Sequence, residues 1–208
     1  MVIKQQKRYI NKSLRLKEYN YNCPGAYFVT ICIKDKKCLF GNVENGKMVL
    51  NESGIITKKC LEDIPEHFEN VEITEHVVMP NHVHAIVNIY GDDDIAGQTH
   101  AFDSQRRAFD LQGDRKHQKL PIIIGSYKSA VSKEVNKHYP LTNFKWQPSY
   151  HDHIIRNEKA MENIQNYIIL NPENWMNDLE NDLYRDSISK KERERKIKQF
   201  YKDLSSNK

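Results

Sequence analysis

Residues 77–90, VVMPNHVHAIVNIY, restrict the fold more than any other segment of the chain. Two apolar, β-branched runs are separated by Pro80 and Asn81, which reads as a strand, a tight break and an antiparallel return strand. Side chains alternate between the faces of a strand, so Val83, Ala85, Val87 and Ile89 share one face, and His82, His84, Ile86 and Asn88 share the other. The first set is continuously apolar and belongs to the core, which puts two imidazoles side by side on the opposite face. Neighbouring imidazoles suit one metal ion. The same spacing recurs at His151 and His153 in SYHDHIIR, another strand-like segment, and spacing alone does not choose between the pairs.

The rest of the chain supplies partners for that hairpin. AYFVTICI, from Ala26, is a strand of aromatic and β-branched residues. Asn45-Gly46 signals a two-residue hairpin with a short strand at 48–50. From Glu52 to about Glu66, Ile55, Ile56, Cys60 and Ile64 recur near helical spacing and predict an inward stripe. Residues 120–139 predict a helix with Tyr127, Val131 and Val135 inward and Lys133 and Lys137 on its outer face. SYHDHIIR follows as a strand, Asn157 is placed to cap a helix from Glu158 to about Leu170, and Pro172 stops it. Residues 188–204 form a last amphipathic helix carrying Ile197, Phe200, Tyr201 and Leu204. Interleaved strands and helices of this order predict an α+β sandwich.

At 208 residues the chain is near the upper end of one domain, with 38% hydrophobic and 29% charged residues and a mean hydropathy of −0.77. The longest apolar runs are far too short to span a bilayer, and MVIKQQKRYI has no signal-peptide core, so no membrane partner and a cytoplasmic, nucleoid-associated location are expected. Cys23, Cys32, Cys38 and Cys60 lack the paired spacing of a structural zinc site, and Cys32 reads as a small core residue. Residues 91–119 are polar, echo themselves in HAFDSQ and RAFDLQ, and read as a flexible insert.

Charge is unevenly spread. Residues 1–20 hold six Lys/Arg against one Glu, and residues 185–208 hold nine against four acids, so each end is +5 and the middle is −6 within a total of +4. Basic arms on an acidic body suit nucleic-acid phosphates, although charge runs also simply solvate a chain. The candidate contacts are Lys4, Lys7, Arg8, Lys12 and Arg15 in the arm, and Lys128, Lys133 and Arg156 in the body.

Tyr167 and Asn171, in IQNYIILNP, are four apart and share one helix face. A tyrosine there also fits plain core packing beside Ile164 and Ile168. Taken with His82 and His84, a divalent metal held by the two imidazoles and the Asn171 amide oxygen would polarise a phosphate for attack by the Tyr167 hydroxyl.

MPNHVHAIV resembles the HUH motif (His, hydrophobic residue, His) of the single-tyrosine transposases, and NYIILNP resembles their nucleophile helix. PGAYFVTICIKDKKCLFG, VVMPNHVHAIV, YKSAV, WQPSYHDHIIRNE and YIILNP, in that order, resemble the REP-associated tyrosine transposases of the IS200-like group over residues 14–175. The resemblance implies a ferredoxin-like (RRM-like) antiparallel sheet with helices. It implies a basic arm at 1–20, a catalytic domain at 21–175 and a helical basic tail at 176–208. Tyr167 is then the nucleophile, His82, His84 and Asn171 the ligands of Mg²⁺ or Mn²⁺, and His151 with His153 a structural or DNA-contacting pair. The implied substrate is single-stranded DNA with a hairpin, cleaved to a 5′-phosphotyrosine and a free 3′-OH. A second copy of the chain is a further candidate partner, since in related enzymes the tyrosine helix serves its own subunit or a neighbour's. The insert and the acidic stretch 173–182 depart from the pattern. The competing expectations are a non-catalytic DNA-hairpin-binding regulator and a metal-dependent phosphoesterase that uses water.

Overall fold

The computed structural model describes residues 24–91 and 119–205. The basic arm with Lys4, Lys7, Arg8, Lys12 and Arg15, and nearly all of the 91–119 insert, lie outside the described residues. In chain order the elements are β1 (Gly25–Cys32), β2 (Gly41–Glu44), β3 (Lys47–Leu50), α1 (Glu52–Glu62), α2 (Ile64–His67), β4 (Val71–Val78) and β5 (His82–Ile89). They continue with α3 (Lys119–His138), β6 (His151–Ile155), α4 (Glu158–Leu170), α5 (Asp182–Ser187) and α6 (Lys190–Ser205).

One four-stranded sheet runs β4-β5-β1-β6, and each neighbouring pair is antiparallel. Apart from the β2–β3 hairpin, strands and main helices alternate as strand, helix, strand, strand, helix, strand, with β1 and β5 central. This is the ferredoxin-like arrangement. The expected break at Pro80–Asn81 joins β4 to β5, with Val77 opposite His84 and Val78 opposite Val83. Asn45 and Gly46 both adopt positive φ, 51° and 73°, as the tightest hairpin turn requires.

Both faces of the sheet are covered. Val83, Ala85, Val87 and Ile89 pack with Tyr27, Val29 and Ile31 beneath Leu120, Ile123, Ile124, Tyr127, Val131 and Val135 of α3 and Leu61 of α1. Each fully buried side chain of this size contributes roughly 1.5–3 kcal/mol, so this face carries most of the apolar stabilisation. On the other face α4 lays Ala160, Ile164 and Ile168 onto Ala26, Phe28, Ile86 and Ile155. Asn157 starts α4 by accepting the Ala160 N–H at 2.8 Å.

The inward stripe of α1 differs from the expected one. Ser53, Gly54, Thr57 and Leu61 are buried while Ile55 is 57% exposed. Gly54 decides the rotation of the helix: a Cβ there would lie 2.2 Å from the Phe40 carbonyl oxygen, so only glycine lets the helix start press so close to the preceding loop. Beyond α4 the chain turns back through a short 3-10 helix, Trp175–Asn177, then α5 and α6, across the uncovered end of the second face. Asn181 caps α5, an element with no clear signal in the acidic stretch it follows. Phe200 of α6 joins the α4 cluster. No described helix is long and apolar enough to cross a membrane.

Candidate metal and nucleophile site

β5 begins directly after the hairpin break, so His82 and His84 stand at its first and third positions, 0% and 2% exposed, on the α4 side of the sheet. Asn81 sets the first ring. Its Nδ2 donates to the carbonyl oxygens of Lys36 at 3.2 Å and Glu180 at 2.8 Å, which leaves Oδ1 to accept from His82 Nδ1 at 2.8 Å. With the hydrogen on Nδ1, His82 Nε2 is a bare lone pair, buried and without a hydrogen-bond partner among the described residues. His84 Nδ1 lies 2.9 Å from Thr30 Oγ1, its cross-strand neighbour, and His84 Nε2 lies 3.2 Å from the Tyr167 hydroxyl. The phenol donating to Nε2 leaves Nδ1–H to donate to Thr30.

Burial lowers His82 to about 4, and burial followed by repulsion from His82 lowers His84 to about 3. Both rings are therefore neutral near pH 7, the form that binds metal. Asp178 completes a group whose ligand atoms all lie within 4.8 Å of one another, His82, His84 and Asp178. Asp178 is 7% exposed and its carboxyl is raised by burial. Its Oδ1 accepts the Glu180 N–H at 2.6 Å and its Oδ2 accepts Asn171 Nδ2 at 2.9 Å. Asn171, the C-cap of α4, is 1% exposed, and its Oδ1 is buried without a partner among the described residues. Two orphaned acceptors, His82 Nε2 and Asn171 Oδ1, beside a desolvated carboxylate are a donor set that fits a divalent cation. Behind them, burial would raise Glu180, but its ion pair with Lys36 brings it to about 2, and the Cys32 thiol donates to it at 3.3 Å.

α4 places Tyr167 over His84, with ring centroids 5.2 Å apart, and the phenol is edge-on to Phe28 at 6.0 Å and to Phe200 at 4.8 Å. These contacts form within one chain. The site opens into a cavity of about 310 Å³ lined in part by Thr30, His84, His151, Tyr167, Asn171 and Asp178.

The other expected residues are dispersed. His151 pairs with Thr30 across β6 and β1 and lines the cavity, but it is outside the His82–His84–Asp178 group; His153 pairs with Phe28. Lys128 Nζ donates to the carbonyls of Gln147 at 2.6 Å and Pro148 at 3.1 Å, which ties α3 to the loop before β6. Lys133 is exposed on α3, on the sheet face away from the histidines, and Arg156 is exposed between β6 and α4. Sequence reasoning missed Thr30, Asp178 and Glu180. Thr30 was findable as the one hydroxyl on the β1 face shared with Ala26 and Phe28. Asp178 and Glu180 lie in an acidic run after the tyrosine helix whose path only the folded chain reveals.

No family model matches the chain. Among solved structures, it is similar to a REP-associated tyrosine transposase bound to a REP hairpin, at 20% identity and a TM-score of 0.46, over 76% of this chain and 72% of that one. An uncharacterized protein of Haemophilus influenzae is 40% identical over 167 residues, 80% of this chain and 91% of that protein. At that identity and coverage the chain belongs to the same protein family as the Haemophilus influenzae protein.

Proposed function

We propose that the chain is a metal-dependent tyrosine transposase that nicks single-stranded DNA beside a hairpin through a 5′-phosphotyrosine and transfers the strand. The observation that carries this reading is the Tyr167 hydroxyl, 3.2 Å from His84 Nε2, above a buried His82–His84–Asp178 group and open to the cavity. A tyrosine that served only the core would be satisfied by any buried acceptor. Here the acceptor is a neutral imidazole inside a potential ligand set.

His82, His84 and Asp178, with the Asn171 amide oxygen beside them, would hold Mn²⁺, or Mg²⁺ where phosphate oxygens complete its shell. Bound there, the ion would supply Lewis acidity to a phosphate oxygen, which a phenol with a reference pKa of about 10 needs in its target. The protein's part is positioning. Phe28 and Phe200 clamp the Tyr167 ring, and Thr30 and Asn81 fix the two imidazoles. As the Tyr167 oxygen bonds to phosphorus the P–O3′ bond breaks; the phenol gives up its proton and the departing 3′ oxygen takes one, leaving the downstream strand on the protein through its 5′ phosphate and the upstream strand with a free 3′-OH. The hairpin substrate rests on the resemblance of the five sequence blocks, and the basic ends of the chain suit its phosphates.

The test is a labelled hairpin oligonucleotide incubated with the protein and Mn²⁺ or Mg²⁺. A denaturant-resistant adduct is expected, and Tyr167→Phe removes it while leaving DNA binding. Cleavage without an adduct would instead support a water-using phosphoesterase, and binding without cleavage a hairpin-binding regulator.

A further inference from the structure

The outer wall of the cavity is built by the C-terminal helices, which bring Arg185 and Arg193 to its lining. The two arginines are not equivalent. Arg185 is neutralised by Asp182 at 2.7 Å and Asp186 at 3.3 Å. Among the described residues Arg193 has no ion-pair partner and its buried Nε has no hydrogen-bond partner, while its Nη2 donates to the Arg185 backbone oxygen at 2.8 Å. A guanidinium stays charged at any accessible pH, and this one lines the cavity with no carboxylate beside it among the described residues, so its charge is left for an anion that enters the cavity.

Its position is fixed by packing rather than by charge. Phe200, seven residues further along α6 and on the same face, sits 4.8 Å from the Tyr167 ring and 6.4 Å from Phe28, with Ile197 between the two on the cavity side. Seven residues of helix span about 10 Å, so Arg193 enters the cavity about two helical turns along α6 from the residue that touches the Tyr167 ring. We propose that Arg193 binds a backbone phosphate of the DNA strand, flanking the one attacked by Tyr167. The identity of the anion rests on the strand-cleaving reading above; the guanidinium fork matches two oxygens of a phosphodiester.

The experiment measures binding of the full-length protein to a fluorescent hairpin oligonucleotide with a single-stranded extension, in chelator, so that no cleavage contributes. In a series of oligonucleotides, one phosphate at a time is replaced by a neutral methylphosphonate. Wild type should lose roughly tenfold in affinity at one flanking phosphate. Arg193→Gln should lose a similar factor on unmodified DNA, become insensitive to that one replacement, and show a log-log salt slope shallower by about 0.7. Arg193→Lys, which keeps the charge without the fork, should recover part of the loss, and it carries the test should the Gln variant not fold. A variant as sensitive as wild type to every replacement overturns the proposal; a lowered unfolding midpoint with unchanged phosphate sensitivity reduces Arg193 to a tether for α5. Failure of the cleavage reading is read separately, as absence of a Tyr167 adduct, because the binding series requires no chemistry.

Discussion

Replacing Asp178 by Asn removes a charge and keeps the shape, and its effects should differ with and without metal. In the metal-free protein the carboxylate is 7% exposed and its pKa is raised by burial, so it is held at a desolvation cost. Its two acceptor roles, toward Asn171 Nδ2 at 2.9 Å and the Glu180 N–H at 2.6 Å, offset part of that cost. Losing a charge-assisted bond and losing the desolvation cost oppose each other, so metal-free stability should change by no more than about 1 kcal/mol. With metal the balance is one-sided. Outer partners of metal ligands are worth about 10–100-fold in affinity, so a direct ligand should be worth at least about 100-fold. Mn²⁺ at 100 times the wild-type Kd stabilises wild type by about 2.7 kcal/mol and a 100-fold weaker variant by only about 0.4 kcal/mol. The difference, about 2.3 kcal/mol, corresponds to a Tm lower by roughly 5–9 °C for a chain of this size. Thermal unfolding of wild type and Asp178→Asn in chelator and in matched Mn²⁺, with calorimetric titration of the metal, measures both. An Asp178→Asn protein with the full Mn²⁺-induced Tm shift would remove Asp178 from the ligand set, and loss of that shift in Asn171→Ala would transfer the role to Asn171.

The two His-x-His pairs should separate cleanly: His84→Ala abolishes Mn²⁺ binding measured by titration calorimetry, whereas His151→Ala retains it, and the reverse pattern would show that the wrong pair has been chosen. Metal-free stability should also depend on pH in a defined direction. The folded pKa values of His82 and His84, about 4 and about 3, lie below the unfolded value of 6.5, so the unfolded chain binds more protons below that value. Stability therefore falls as pH drops from about 6.5 toward about 4, at up to about 2.7 kcal/mol per pH unit for two protons. His76 and His153, also lowered by burial, act in the same direction. Urea midpoints at pH 7.5, 6.0 and 5.0 check it; a midpoint unchanged between pH 7.5 and pH 5.0 would contradict neutral, buried imidazoles.

Much of the scaffold was written in local patterns. Alternation in 77–90 specified β4, the break and β5, and it assigned His82 and His84 to a common face, because strand geometry leaves side chains no other choice. Asn157, Pro172 and Asn45-Gly46 act through bonds and dihedrals within a few residues of themselves, so they are legible without knowledge of the rest of the fold. The helical spacing of Tyr127, Val131 and Val135 likewise predicted the buried face of α3.

What the sequence left open was decided at a distance. The rotation of α1 follows from the close approach of Gly54 to the Phe40 carbonyl, which overrides the apolar character of Ile55. The choice between His82 with His84 and His151 with His153 depends on which strand lies under Tyr167 and Asp178, and β1 separates the two pairs in the sheet. Asp178, Glu180 and Arg193 carry no periodic signal, because a polar residue in a turn or on a charged helix looks solvated until the chain folds back over the sheet. Local chemistry thus determined the strands, the caps and the face bearing the imidazoles, since those depend on neighbours in sequence. The place of Asp178 beside the two imidazoles, the ion pair behind it and the cation across the cavity were set only when the segment after α4 packed against β1 and β5, since burial and pairing are properties of neighbours in space.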